Sequence, residues 1–276
     1  MSEVTWKHSL SHAPLRRIEL GDGLALGGAT GHTLMMAGPC SVESEEQIRA
    51  VAKMLVERGV SVLRAGCFKP RTSPYSFMGL AHEGLELLEA VRAEFGLKII
   101  TEVRDATQVD AVLQTADIVQ IGAKAMWDYG ILGAVGAAGK PVLVKRAFGA
   151  TVREVAKIAE FILSAGNESV MVCERGIRSF EPDTRFTLDL CGVAWLKQHT
   201  NLPVILDPSH ALGERYGVPD LARACVAMGV DGLLIETHPC PEEALSDSAQ
   251  QLNFEEFRAM YDSLSAVAEA VGRTMI

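Results

Sequence analysis

Cys40, His210, Glu236 and Asp247 are the residue types that a divalent cation with mixed sulfur, nitrogen and oxygen ligands selects. Taken singly, each has an ordinary role. Cys40 suits a core thiol, His210 a hydrogen-bonded loop histidine, Glu236 the partner of a cation, and Asp247 a helix cap. His238 rivals His210, and spacing does not exclude it. A second chemistry runs through the cations Arg64, Lys69, Arg71, Lys124, Lys145, Arg146 and Arg175. The run Lys69-Pro70-Arg71-Thr72-Ser73-Pro74-Tyr75-Ser76 joins two of them to the three hydroxyls of Thr72, Ser73 and Ser76 and stiffens them with two prolines. A point charge, a planar guanidinium fork and hydroxyl donors on a rigid loop suit a phosphorylated small molecule. An ordinary solvated basic loop has the same composition, so the surroundings must decide.

Eight short apolar runs supply those surroundings, at 34–37, 60–64, 98–102, 118–121, 142–145, 170–173, 204–207 and 232–236. They are β-branched or Leu-rich and lack polar alternation, as parallel strands covered on both faces do. Helical patterns follow each run. Ser44-Glu45-Glu46-Gln47, Asp105-Ala106-Thr107-Gln108 and Thr151-Val152-Arg153-Glu154 have the form of capping boxes, and 254–271 reads as the last helix. The pattern predicts an α/β fold, a (β/α)8 TIM barrel, with a doubly wound open sheet as the alternative. Residues 1–276 read as one domain. Residues 1–33 form an N-terminal extension, with 17–20 and 24–26 flanking Gly21-Asp22-Gly23 as a β-hairpin that plugs the N-terminal end of the barrel.

On that frame the reactive groups gather at the C-terminal ends of the strands, where barrel active sites lie. The ends carry Cys40, Arg64, Glu102, Gly122-Ala123-Lys124, Lys145-Arg146, Glu174-Arg175, Asp207 with His210, and Glu236 with His238. So many cations at one mouth imply a highly anionic substrate, or two. The metal reading gains from the spread of its residues over strands one, seven and eight and the loop beyond, because strands one and eight are neighbours in a closed barrel.

The 276 residues are 48% hydrophobic with net charge −9, which argues against a general nucleic-acid surface and leaves small anions as partners of a local cationic site. No apolar run is long enough to span a bilayer, and the N-terminal residues lack an apolar signal core, so a cytoplasmic protein is expected. The six cysteines are dispersed without a CxxC pair and read as core thiols rather than a disulfide framework.

Nine motifs together resemble the 3-deoxy-D-arabino-heptulosonate-7-phosphate (DAHP) synthase family in its short I-beta form: AGPCSVES (37–44), LRAGCFKPRTSPYSF (63–77), TEVRD (101–105), QIGAK (120–124), VLVKR (142–146), CERGIRSFE (173–181), DPSHA (207–211), IETHP (235–239) and ALSDSAQ (244–250). The resemblance implies condensation of phosphoenolpyruvate with D-erythrose 4-phosphate, the first step of the shikimate pathway. It implies a divalent metal ion (Mn, Fe, Co or Zn) on Cys40, His210, Glu236 and Asp247. Arg64, Lys145 and Arg175, with Lys124 and the Gly122-Ala123 backbone, would hold phosphoenolpyruvate. Lys69, Arg71 and Thr72 would meet erythrose 4-phosphate. Glu102 would sit at the reacting carbons and position water, and Lys145 would donate a proton, since neighbouring cations depress a lysine pKa. A homo-oligomer, dimer or tetramer, is implied, with control absent or vested in a partner protein.

The chain departs from the family pattern at Lys124 and Ala125, where Arg and Asn are usual, at Ala147-Phe148-Gly149, and at Cys240, where Asn is common. A lysine for an arginine at a phosphate fork trades a bidentate contact for a point charge. Weaker phosphoenolpyruvate binding or a changed acceptor is therefore expected. The rival functions are a paralogue condensing phosphoenolpyruvate with another phosphorylated aldose and a catalytically silent barrel that binds a phosphometabolite.

Overall fold

The computed structural model describes residues 7–9, 12–69 and 75–276. An antiparallel pair, β1 (Arg17–Gly21) and β2 (Leu24–Gly27), precedes eight parallel strands. These are β3 (His32–Gly38), β4 (Val62–Arg64), β5 (Lys98–Val103), β6 (Ile118–Ile121), β7 (Val142–Lys145), β8 (Val170–Glu174), β9 (Val204–Leu206) and β10 (Gly232–Glu236). Each pairs with the next, and β10 returns to β3, so the sheet closes on itself. The helices are α1 (Glu45–Glu57), α2 (Ala81–Phe95), α3 (Val109–Thr115), α4 (Tyr129–Ala137), α5 (Val152–Ser164), α6 (Leu190–His199), α7 (Pro208–Leu212), α8 (Val218–Ala227) and α9 (Phe254–Ala270). A last short strand, β11 (Thr274–Met275), lies parallel to the start of β3. The expected (β/α)8 barrel with its N-terminal hairpin is thus present. Among the described residues no helix is long and apolar enough to cross a membrane.

The two-residue period of the strands divides the apolar side chains into two cores. Leu34 and Met36 of β3 point into the barrel with Val62, Ile100, Ile118 and Leu143, while Met35 and Ala37 point out to the helices. The hairpin belongs to the inner core. Ile18, Leu20 and Leu26 are buried in it, and Ile276 packs against it. The extension therefore acts as the expected plug, and Lys98 of β5 ties down its tip by donating to Asp22 Oδ2 (2.5 Å).

Local details differ from the sequence pattern for identifiable reasons. β4 starts at Val62, two residues later than the apolar run, because the Val60 N–H bonds to the Leu55 carbonyl and closes α1. Thr151 and Glu154 form the full reciprocal cap on α5, and Asn253 and Glu256 form another on α9. Ser44 caps α1 alone, since the Gln47 side chain accepts from Glu43 N and donates to Ser41 O instead. Asp105 caps a 3₁₀ turn over Ala106–Gln108 rather than the α-helix after it.

Because the hairpin fills the barrel's interior, truncating it leaves a cavity that the closed sheet relaxes poorly. Ile18→Ala is expected to cost about 2–5 kcal/mol, read as a lowered midpoint in urea-induced unfolding.

Candidate active site at the C-terminal mouth of the barrel

The strand period that builds the inner core also builds the site. Two residues beyond the last inward apolar side chain, a strand places its next inward group, and at the C-terminal ends of six strands that group is polar. Val62 is followed in this sense by Arg64, Ile100 by Glu102, Ile118 by Gln120, Leu143 by Lys145, Ile205 by Asp207 and Leu234 by Glu236. A cavity opens above this ring. Its walls include Cys40, Lys69, Glu102, Ala123, Lys124, Lys145, Arg175, His210 and Asp247, which the sequence pattern had singled out. Arg64 and Glu236 lie beneath its floor. Arg71 and Thr72 lie outside the described residues.

One side of the cavity is a donor group for a cation. Cys40, Glu236 and Asp247 offer ligand atoms that all lie within 4.8 Å of one another. His210 adjoins them, its Nε2 3.6 Å from Glu236 Oε1 and 3.9 Å from Asp247 Oδ2. Its Nδ1 is 2.8 Å from Asp207 Oδ2, which leaves Nε2 turned toward the group. Burial pushes the His210 pKa down and keeps the ring neutral, as a ligand must be. Burial also pushes the Cys40 thiol up to about 12, with Glu236 adding to the effect and Lys69 opposing it. Burial would raise Asp247 too, but His210 and Lys69 outweigh it and bring its carboxyl down to about 2.

These anions are held by protein cations. Arg64 donates to Glu236 Oε1 (2.5 Å) and to the Pro39 carbonyl (2.9 Å), and Lys69 Nζ approaches Cys40 Sγ (2.9 Å). A buried and a half-buried carboxylate and a thiol, with only Arg64, Lys69 and a neutral imidazole beside them, form a soft and hard donor set suited to a divalent ion. His238 stands apart. Its Nε2 is 3.3 Å from Glu43 Oε2, and its Nδ1 accepts from the Cys240 N–H, so the rival ligand faces another loop.

The other side of the cavity suits an anion. Arg175 is 6% exposed, and its guanidinium makes no hydrogen bond to any described residue. Its Nε is sealed from solvent without a partner. Burial depresses the Arg175 pKa, with Asp207 opposing and Arg185 adding to the loss. A guanidinium whose Nε is sealed off without an acceptor, and whose remaining N–H groups face the cavity with no protein acceptor among the described residues, is completed by an anionic ligand. Lys145 lies nearby in a 2.5 Å ion pair with Asp207, so its immediate neighbour is a carboxylate rather than another cation. Burial would raise Asp207, but His210 and Lys145 outweigh it and hold this carboxyl well below the usual range.

Glu102 lies between the two sides, held by the Gln120 amide at 2.7 Å. Gly122 is the residue that lets it. A Cβ there would stand 2.2 Å from Glu102 Oε1.

Two differences from the sequence reading concern cations. Arg146 leaves the mouth, binding Glu174 Oε2 and Asp189 Oδ2, each at 2.8 Å, and the Ala150 carbonyl. Arg104 and Arg185 line the cavity instead, and neither had been marked by the strand pattern, since both follow strands in loops. Gln250 was also missed. Its amide donates to Glu236 Oε2 (2.5 Å), and its carbonyl accepts from Arg185 (2.7 Å). Its place three residues after Asp247 was the available clue.

With this geometry in hand, residues 18–272 match the model of the DAHP synthetase I family. The chain belongs to the DAHP synthetase I family. It is 44% identical over 255 residues to the phospho-2-dehydro-3-deoxyheptonate aldolase of Thermotoga maritima, covering 92% of this chain and 75% of that one. It is 36% identical over 234 residues to a 2-dehydro-3-deoxyphosphooctonate aldolase of Acidithiobacillus ferrooxidans, covering 77% and 81%. The crystal structure of DAHP synthase from Thermotoga maritima superposes with a TM-score of 0.94 at 41% identity, covering 98% of this chain and 79% of that one. A truncated form of that enzyme gives 0.88 at 38% identity, covering 96% of both chains. Family membership accords with the nine motifs, which fall at or beyond the C-terminal ends of the strands.

Gly122→Ala is expected to displace Glu102 without touching either core. Turnover should fall about a hundredfold, the scale of a misplaced reacting group, while the thermal unfolding midpoint stays close to that of the parent protein.

Proposed function

We propose that the barrel mouth condenses phosphoenolpyruvate with D-erythrose 4-phosphate, giving DAHP and phosphate. The observation that carries this reading is the juxtaposition in one cavity of the unpaired Arg175 guanidinium and the Cys40, Glu236 and Asp247 donor group. Arg175, Lys145, Lys124 and Arg64, with the Gly122-Ala123 backbone, hold phosphoenolpyruvate through its phosphate and carboxylate. Lys69, with Arg71 and Thr72, takes the phosphorylated aldose.

Held by Cys40, His210, Glu236 and Asp247, a divalent ion (Mn, Fe, Co or Zn) would supply Lewis acidity toward the aldehyde oxygen. C3 of phosphoenolpyruvate forms the new bond to the aldehyde carbon, and Lys145 delivers a proton to the aldehyde oxygen as it becomes a hydroxyl. Asp207, 2.5 Å away, keeps that ammonium in place. Water adds to C2, oriented by Glu102, which Gln120 fixes. The phosphohemiketal then breaks its C–O bond to phosphate, leaving the 2-keto group. Most of the rate derives from cations set before the substrates arrive, so that charge developing on the phosphates and at C2 needs no solvent rearrangement.

The test is phosphate release by metal-loaded protein given phosphoenolpyruvate and a panel of phosphorylated aldoses. Release is expected with erythrose 4-phosphate. Release with a different phosphorylated aldose alone would mark a paralogue with a changed acceptor, and binding of phosphoenolpyruvate without release on any aldose would mark a silent barrel.

Metal affinity should also depend on pH with a definite sign. The Cys40 thiol is protonated in the metal-free protein and binds as thiolate, while Asp247 and neutral His210 have no proton to lose near neutrality. Binding therefore releases about one proton, and affinity rises about tenfold per unit from about pH 6 to 8. Titration of the protein with Mn²⁺ at several pH values checks this. Cys40→Ala should bind more weakly and with a nearly flat pH profile.

A further inference from the structure

The segment 175–189 between β8 and α6 carries two arginines into the cavity, Arg175 and Arg185, and only the first belongs to a recognised motif position. The segment is bolted at both ends. Glu174 Oε1 accepts from Gly176 N (2.7 Å) and Asp189 N (3.4 Å), and Arg146 bridges Glu174 to Asp189. Ile177 and Thr187 exchange backbone hydrogen bonds, both 2.9 Å, which folds the segment into a small hairpin. Its base lies close on α7, where the Phe186 N–H reaches the Ala211 carbonyl (2.9 Å). Only glycine fits at 176, since a Cβ would stand 2.7 Å from that of Phe186, and its φ is +97°.

Within this frame Phe186 is the hub. The Arg175 guanidinium lies over its ring at 4.7 Å, and Arg185 lies 5.5 Å from the same centroid. Phe148 stacks on Phe186 at 5.3 Å and 14°. Arg178 lies over Phe148 at 4.7 Å and donates its N–H to the Phe148 carbonyl. Two like charges on one aromatic ring are tolerable when the ring's negative faces meet them and an anion joins them. Arg185 makes one side-chain hydrogen bond among the described residues, to Gln250 Oε1 at 2.7 Å, and Gln250 in turn donates to Glu236. One nitrogen is thus anchored on the metal-donor side, and the rest of the fork borders the cavity.

We propose that Arg185 is a second guanidinium of the phosphoenolpyruvate phosphate site, set with Arg175 against the Phe186 ring and supplying the planar fork that Lys124 lacks. Phe186 and Gln250 are its positioning residues, and Phe148 backs the ring from behind. Position 148 is among those where the chain departs from the family pattern, as is Lys124. The inference rests on the reading of phosphoenolpyruvate as substrate.

The test is calorimetric titration of phosphoenolpyruvate into metal-free protein, alongside Michaelis constants for both substrates. Arg185→Met should weaken phosphoenolpyruvate binding about tenfold or more, with the constant for erythrose 4-phosphate little changed. Arg185→Lys, which keeps the charge and the stem, should fall between. Phe186→Leu should weaken binding as well, and Phe186→Tyr should restore it, a rescue that a mere packing defect at the loop base would not select. A raised constant for erythrose 4-phosphate with unchanged phosphoenolpyruvate binding would assign Arg185 to the other substrate and overturn the proposal. Binding within twofold of the parent protein in Arg185→Met would do the same and leave Arg185 as a brace for Gln250. If the parent protein itself binds no phosphoenolpyruvate, the reading of the substrate fails first, and that result is distinct from either.

Discussion

The pairing of β10 with β3, which sets Glu236 opposite Gly38, is the constraint on which the site depends. It closes the sheet, and in doing so it brings the residues just after the first strand beside the end of the eighth. Cys40 and Glu236 become neighbours only through that register. Arg64, one strand further round, then reaches under both to the Glu236 carboxylate and the Pro39 carbonyl. A slip of one residue would send every inward side chain of β10 outward to the helices and dissolve the donor group.

The chain carries a net negative charge, yet most of its buried charges gather at the C-terminal ends of the strands, in or behind the mouth, in alternating sign. Lys145 meets Asp207, Arg64 meets Glu236, and Arg146 meets Glu174 and Asp189. A buried pair gains little net stability over an apolar one, because desolvation offsets the attraction. Its contribution here is placement. Arg146 shows the division most clearly, since it spends its donors on holding the loop that carries Arg175 and Arg185, whereas Arg175 keeps its donors free.

Much of this was legible in the sequence because a parallel barrel translates strand ends directly into a site. Five of the eight apolar runs end in a residue that lines or underlies the cavity, Arg64, Glu102, Lys145, Asp207 and Glu236, and the hairpin was visible from Gly21-Asp22-Gly23 between two apolar stretches. What escaped lies where no period operates. Arg104, Arg185 and Gln250 stand in loops, and Arg185 and Gln250 are aimed by their bond to each other and by the seating of the Arg185 loop on α7. Arg146 misled for a related reason. It follows an inward Lys145 by one residue, so the strand alternation turns it to the helix side, and reading it as a mouth cation ignored the parity that placed its neighbours correctly. The Ser44 box was half right, since Gln47 had closer partners in Glu43 and Ser41 than in the cap itself.

The closing register also bears on how the molecule comes together. Strand pairing from β3 to β10 can proceed locally, each strand on its predecessor, but the last contact joins segments from opposite ends of the barrel and bears the largest loop-closure entropy. The donor group for a cation forms in that same contact. A divalent ion held there would therefore recognise only the closed ring. Its binding energy would fall on the native side of the final barrier, so it would slow unfolding more than it hastened folding. An ion serving the chemistry would thus also act as a latch on the seam.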